Sequence, residues 1–322
     1  MNFDETWSKY WHMLYSELEI EPDGASNSPL LAHYTSLSNL ENILRNEQVW
    51  LSNPLFMNDL EEVRFGVSNG VDLVHRNNKL RSALGDETRA ALFYNEIEKS
   101  LEHYGREHVL DLYVMCFSVH DREDVDGRLS MWRGYGSNGK GTAIVFDVSN
   151  IAETDDSPLA LAPVEYASRE KRKEKLEAKI TQVAEFIATN EVPNEHLPDL
   201  ANALFNRIAL FAIFSKHDGF AEEQEWRLVY FKDRDPEGIL SQFLSYVNGP
   251  QGLQPKLKLD VKPITGALSE GVIMDEIIDR IIVGPSASSP LTKVSAERML
   301  RSLKKENLIP KLRLSSIPYR DD

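Results

Sequence analysis

A chain of 322 residues, 42% hydrophobic and 27% charged, has ordinary globular composition and length enough to bury a full core, which excludes disordered, collagen-like and low-complexity readings. Its 36 basic against 51 acidic side chains leave a net charge of −15, which argues against a dedicated DNA-coating protein. The single cysteine, Cys116, excludes an intrachain disulfide and a Cys-rich zinc site. The longest apolar stretch, 208–214, falls short of the roughly twenty residues of a membrane span. The acidic, aromatic N-terminus does not read as a signal peptide, so a soluble cytoplasmic protein is expected.

Phe3, Trp7, Trp11, Leu14, Tyr15 and Leu18 recur at helical spacing and predict an amphipathic helix over 3–18, followed by a Pro/Gly/Ser loop at 21–29. A short strand is expected at 30–35. Ser38 and Glu41 have the spacing of a capping box for the next helix, which buries Leu40, Ile43 and Leu44. Residues 49–51 look extended, and Asn58 or Asp59 caps a helix whose first turn carries Glu61 and Glu62.

A charged helix is expected at 86–108, strong strands at 112–119 and 142–148, and a helical turn at 129–135. Long helices follow at 168–189 and 197–216, then strands at 225–231 and 277–283, a helix at 290–305 and a last strand at 312–315. Short strands separated by helices of uneven length predict an α+β fold rather than a βαβ repeat. The expected organisation is an N-terminal helix and loop over 1–29 and a single domain over 30–322, with a helical insertion at about 165–216.

Three polar segments stand where strands begin or end: His33-Tyr34-Thr35, the run Ser130-Met131-Trp132-Arg133-Gly134-Tyr135-Gly136, and Glu222-Glu223-Gln224-Glu225-Trp226-Arg227. Acids at the entrance to an apolar strand are costly unless solvated, paired or used. Each residue also has a plain structural role open to it. His33 can be a core histidine, Thr35 and Ser36 can start the helix, and Trp132 and Tyr135 can share a packed helix face. Glu222 and Glu223 can form a solvated turn, and Glu225 can pair with Arg227.

Taken together, HYTS before a capped helix, WLSNPLFMND, a CFS strand, MWRGYG and EQEWRLVYF resemble an uncharacterised bacterial family of unknown function. That family's pattern is similar to the ADP-ribosyltransferase superfamily in its His-Tyr-Glu form, in order over most of 30–285. The resemblance implies a split core of two small antiparallel sheets and cleavage of NAD as substrate, with transfer to a protein or nucleic-acid acceptor. A role in bacterial defence or as a toxin is implied by resemblance alone.

The chemistry implied is glycosyl transfer through an oxocarbenium-like state, which needs a carboxylate beside the ribose. By analogy Glu225 is that carboxylate and Glu223 handles the acceptor. His33, with Tyr34 and Thr35 beside it, holds a ribose, and Tyr135, or else Trp132, stacks on nicotinamide; Arg64, Arg128 and Arg133 are alternative phosphate partners, Arg133 being the best placed. If so, His33, Tyr135 and Glu225 converge in one cleft, and Arg227 shares Glu225's face. Glu225→Gln would then nearly abolish NAD cleavage while leaving folding intact. Finding Glu225 opposite His33 would end the enzymatic reading. The alternatives are a non-catalytic nucleotide- or partner-binding module and an RNA-acting nuclease or phosphotransferase with His33 as acid or base.

Other signals are weaker. The glycines and Lys140 of 134–141 lack phosphate-loop spacing and precede a strand, so a tight turn is expected. REKRKEK (169–175) reads as a solvated helix face. The histidines lack metal-ligand spacing, so no metal is expected. Cys116, amid apolar neighbours, reads as a buried small hydrophobe.

Overall fold

The computed structural model describes residues 3–16, 29–57, 60–106, 111–149, 151, 157–249 and 252–319. Leu18, the loop at 21–28 and the caps Asn58 and Asp59 lie outside these residues.

In chain order the helices are α1 (Phe3–Tyr15), α2 (Leu37–Asn46), α3 (Leu60–Arg76), α4 (Asn78–Leu84), α5 (Glu87–Arg106), α6 (Leu129–Gly134), α7 (Arg169–Thr189), α8 (Leu197–Ile213), α9 (Met274–Ile277) and α10 (Pro290–Ser302). The strands are β1 (Leu30–Thr35), β2 (Gln48–Ser52), β3 (Leu112–His120), β4 (Thr142–Asp147), β5 (Leu159–Pro163), β6 (Glu165–Ala167), β7 (Ser215–His217), β8 (Glu225–Phe231), β9 (Leu244–Gly249), β10 (Gly252–Asp260), β11 (Ile278–Val283) and β12 (Leu312–Leu314). The α+β class expected from the sequence holds.

The chain forms two compact units, one from Met1–Glu21, Pro54–Asp111 and Val164–Phe220, the other from Pro22–Asn53, Leu112–Pro163 and Ala221–Asp322. In the first of these units the N-terminal helix and the 54–111 helices group with the helical insertion. The reason is packing. The apolar stripe of α1 is covered within the helical unit, where the Tyr10 hydroxyl donates to the Leu200 carbonyl (2.8 Å) and Lys179 and Arg207 donate to the carbonyls of Met13 (3.1 Å) and Leu14 (2.9 Å). These cations meet the free carbonyls at a helix C-terminus, where the dipole favours them.

In the same unit α3 meets α8 through glycines. A Cβ on Gly70 would lie 2.3 Å from Ile208 Cγ2, and one on Gly66 2.8 Å from Ala212 Cβ. Gly70→Ala is expected to lose about 1–3 kcal/mol to overpacking, more than the roughly 1 kcal/mol of helix propensity gained. Urea unfolding followed by circular dichroism measures it, and unchanged or raised stability would refute the close α3–α8 contact. Basic residues of the 169–175 face pair locally, Lys173 with Glu177 (3.6 Å) and Lys175 with Glu165.

The second unit holds a ten-stranded sheet with the path β12-β11-β4-β1-β3-β2-β10-β9, to which β8 and β5 are added along β3. All its pairings are antiparallel except β11 with β12. The expected two small sheets are hydrogen-bonded into one. The joint is β3, nine residues long, which bonds β1 through Ser118, Val119 and His120, β2 through Val114, and β8 along its other edge. A strand of this length serves two partners on one edge, so the sheet forks there.

The core of this unit lies on one sheet face, around Leu31, Val49, Leu51, Met115, Phe117, Ile144, Leu257 and Ile281. A smaller cluster of Leu30, Ala32, Tyr34, Met131, Trp132, Ala143, Val145 and Ile282 lies on the other. The second helix begins two residues earlier than the capping-box spacing suggests: Ser36 Oγ, not Ser38, accepts from Asn39 N–H at 3.1 Å.

Candidate functional site

Register decides which predicted residues meet. Ala32 stands opposite Ser118, and Ser118 opposite Glu225; Cys116 stands opposite Arg227. Directly opposed strand residues share a face, and neighbours along a strand alternate. Tyr34, Cys116, Ser118, Glu225 and Arg227 therefore lie on the Trp132 face. His33 lies on the other, with its ring edge-on to Phe117 at a centroid distance of 6.0 Å.

The expected convergence of His33, Tyr135 and Glu225 is thus corrected: period-two alternation sends His33 to the opposite face from Glu225. Half-buried, His33 donates from Nδ1 to the Cys116 carbonyl at 3.0 Å, across the place where β1 and β3 part.

Burial pushes the His33 imidazole below the ordinary histidine range, against a smaller upward effect of the Cys116 carbonyl. Burial likewise lowers His120, whose Nε2 lies 2.8 Å from the Asp124 carbonyl. A depressed native pKa gives stability that is present above the unfolded value, about 6.5, and is lost as pH falls below it. Urea unfolding at pH 7.5 and pH 5.5 is expected to show that loss, reduced in His33→Gln. An identical pH difference in wild type and variant would remove His33 from this role.

Glu225 and Arg227 are 5% and 4% exposed and form a bidentate pair, Nε to Oε1 at 2.7 Å and Nη2 to Oε2 at 3.0 Å. Arg227 shares Glu225's face, as the spacing of two residues requires. The turn before β8 is held by Arg128, which donates to the carbonyls of Glu222 and Val119 and to Gln224 Oε1 (2.7 Å). Ser118 Oγ donates to the Glu223 carbonyl at 2.6 Å. Between the two glutamates Gln224 adopts φ +43°, a left-handed conformation uncommon outside glycine and found at functional turns. The Tyr135 hydroxyl, on a side chain 44% exposed, donates to Glu223 Oε1 at 3.2 Å.

The remaining predicted residues divide. Tyr34 lies edge-on to Trp132 at 4.8 Å, and its hydroxyl accepts from Arg128 N–H at 2.8 Å. Burial, its largest influence, pushes this phenol up to about 12. Trp132 is fully buried and donates from Nε1 to the Asp126 carbonyl at 2.9 Å, so the alternative that it stacks on a ligand is corrected: its faces are used in packing. Thr35 Oγ1 accepts from Asn39 Nδ2 at 2.9 Å, a role at the start of α2. Arg133 is exposed and lies over the Tyr319 ring at 5.7 Å. Cys116 is half-buried beside Arg227, not within a dry core.

Gln224 was singled out only within its segment and Arg128 only as a phosphate partner; that Arg128 and Ser118 hold this turn was missed. Arg128 had a signal, one of two arginines in an acidic stretch before the MWRGYG segment. The turn 136–141 precedes β4 as expected, with Ser137, Asn138 and Gly139 all at positive φ. Gly141 has no room for a side chain, since a Cβ would lie 2.2 Å from the Thr35 carbonyl oxygen. Among the described residues no group of three or more His, Cys, Asp or Glu is placed to hold a metal, and no helix is long and apolar enough to cross a membrane.

Fold and site define an α+β protein with a forked, mostly antiparallel sheet and a polar turn clamped over one of its faces. A family model described as a protein of unknown function (DUF2971) matches residues 131–228, the stretch from Met131 in α6 to Leu228 in β8. No curated protein and no solved structure matches the chain. The match supports the resemblance to an uncharacterised family and carries no link to the ADP-ribosyltransferases.

Proposed function

We propose that the chain is a nucleotide-binding module in which the surface of Arg128, Tyr135, Glu223 and Gln224 receives its ligand without cleaving it. The observation that carries this reading is the bidentate Glu225–Arg227 pair. Both oxygens of the carboxylate that NAD cleavage would need are engaged inside the protein, and His33 lies on the other sheet face. The nucleotide itself is drawn from the motif resemblance alone. The site is then a relic of an ADP-ribosyltransferase-like ancestor.

A second reading, NAD-dependent ADP-ribosyl transfer to a protein or nucleic-acid acceptor in a form that does without His33, is favoured by one feature. The left-handed Gln224 turns the Glu-x-Glu segment so that Glu223 meets Tyr135 at the surface while Glu225 stays within.

One pair of measurements separates the readings: calorimetric titration with NAD and an assay of nicotinamide release. Saturable binding without release, weakened in Tyr135→Ala, is the expected result. Release that falls in Glu223→Gln would transfer the assignment to the enzyme. Absence of NAD binding would overturn the nucleotide reading.

A further inference from the structure

The sheet face that carries Arg227 continues across β2 and β10. Ser52 stands opposite Val114 of β3, two residues from Cys116, and opposite Lys256 of β10; Trp50 stands opposite Lys258. Four hydrogen-bond donors from two strands thereby come together. Lys256 Nζ donates to Ser52 Oγ at 2.6 Å, which directs the hydroxyl hydrogen away from the lysine. Lys258 Nζ lies over the Trp50 ring, 4.5 Å from its centroid. Trp50 Nε1 is shielded from solvent and has no acceptor.

The charge balance of this patch is opposite to that of the whole chain. The chain as a whole carries 51 acidic against 36 basic side chains. Among the described residues no carboxylate pairs with Lys256 or Lys258, although both are half-buried. The acid nearest along the strand, Asp260, is taken by Gln48 (2.8 Å) and Lys262 (2.7 Å). Burial without a compensating charge already pushes Lys256 below the ordinary lysine range. Two ammonium groups, a hydroxyl and an indole N–H form a set rich in donors and poor in acceptors. Such a set is completed by a compact oxyanion, and the strongest partner for it is a phosphoryl group, with several acceptor oxygens and full charge.

We propose that Lys256, Lys258, Ser52 and Trp50 form a binding site for the phosphoryl group of a small molecule on the β2–β10 sheet face. The site shares no residue with the Arg128–Glu223 surface and does not rest on the nucleotide reading of that surface.

The test is calorimetric titration of the full chain with inorganic pyrophosphate and with ADP, with tryptophan fluorescence read in parallel. Saturable binding is expected for both. It is expected to weaken at least tenfold in Lys256→Met/Lys258→Met and to be retained in Lys256→Arg/Lys258→Arg, which keeps both charges. The fluorescence change is expected to be lost in Trp50→Phe. Equal affinities would assign the site to the phosphoryl group alone, and tighter ADP would add a nucleoside contact; either upholds the proposal. No saturable binding of either probe would overturn it, as would unchanged affinity in the folded double-Met variant. NAD binding that fails in Tyr135→Ala but survives in the double-Met variant would belong to the other surface.

Discussion

Arg227→Met is expected to destabilise the sheet unit by about 3–5 kcal/mol, because it leaves the Glu225 carboxylate buried without its partner. Both side chains are almost wholly enclosed, so solvent screening does little to soften the loss. Glu225→Gln leaves the guanidinium charge in the same position and is expected to cost a large part of that amount. This revises the expectation that Glu225→Gln would spare folding, which held only for a solvated or ligand-facing glutamate. Glu225→Leu/Arg227→Met removes both charges together and is expected to recover more than half of the loss, since apolar replacement of a buried pair is often near neutral. Urea unfolding of the two single variants and the double variant checks the cycle. Additive losses would show that the pair is not coupled. A destabilised Glu225→Gln also means that lost activity in that variant alone is no evidence of catalysis, and for that reason the functional assay relies on Glu223 and Tyr135.

Trp132→Ala is expected to lose about 3–5 kcal/mol, the range for removing a fully buried large aromatic side chain. Three contacts end together: the edge-on packing against Tyr34, the bond from Nε1 to the Asp126 carbonyl, and the close approach of Gly136 and Gly284, where an added Cβ would lie 2.5 Å and 3.0 Å from the indole. Trp132→Phe keeps most of the packing but not the indole N–H, so it is expected to lose less. Thermal unfolding with calorimetric titration separates this from a ligand-stacking role. A stacking residue would lose NAD affinity with stability nearly unchanged, and that pattern would refute the core assignment.

Much of the fold was legible locally. The strands at 30–35 and 225–231 coincide with β1 and β8, and those at 112–119 and 142–148 differ from β3 and β4 by a single residue at one end, because runs of β-branched and aromatic residues bounded by polar turns carry their own signal. The long helices were legible from their apolar spacing. Three elements gave weak signals. β10 mixes Pro255 with alternating lysines, and its pairing partner β9 ends in a glycine. The short α4 is set off only by Asn77, which caps it, and by Gly85, at φ +86°. Such strands are fixed by their neighbours more than by their own residues.

For the site, the sequence determined which residue types stand at the strand ends and that Arg227 must share a face with Glu225, because a spacing of two is a local property of any strand. It did not determine which face His33 takes relative to Glu225. That depends on Ala32 meeting Ser118 and Ser118 meeting Glu225, three strands from distant parts of the chain, where a shift of one residue would have reversed the outcome. The same holds for the β2–β10 face: Trp50, Ser52, Lys256 and Lys258 are about two hundred residues apart and share no motif. Only pairing of the two strands makes them one cluster of donors, because long-range register is settled by burying Val49, Leu51, Leu257 and Leu259 on the other side of the same sheet.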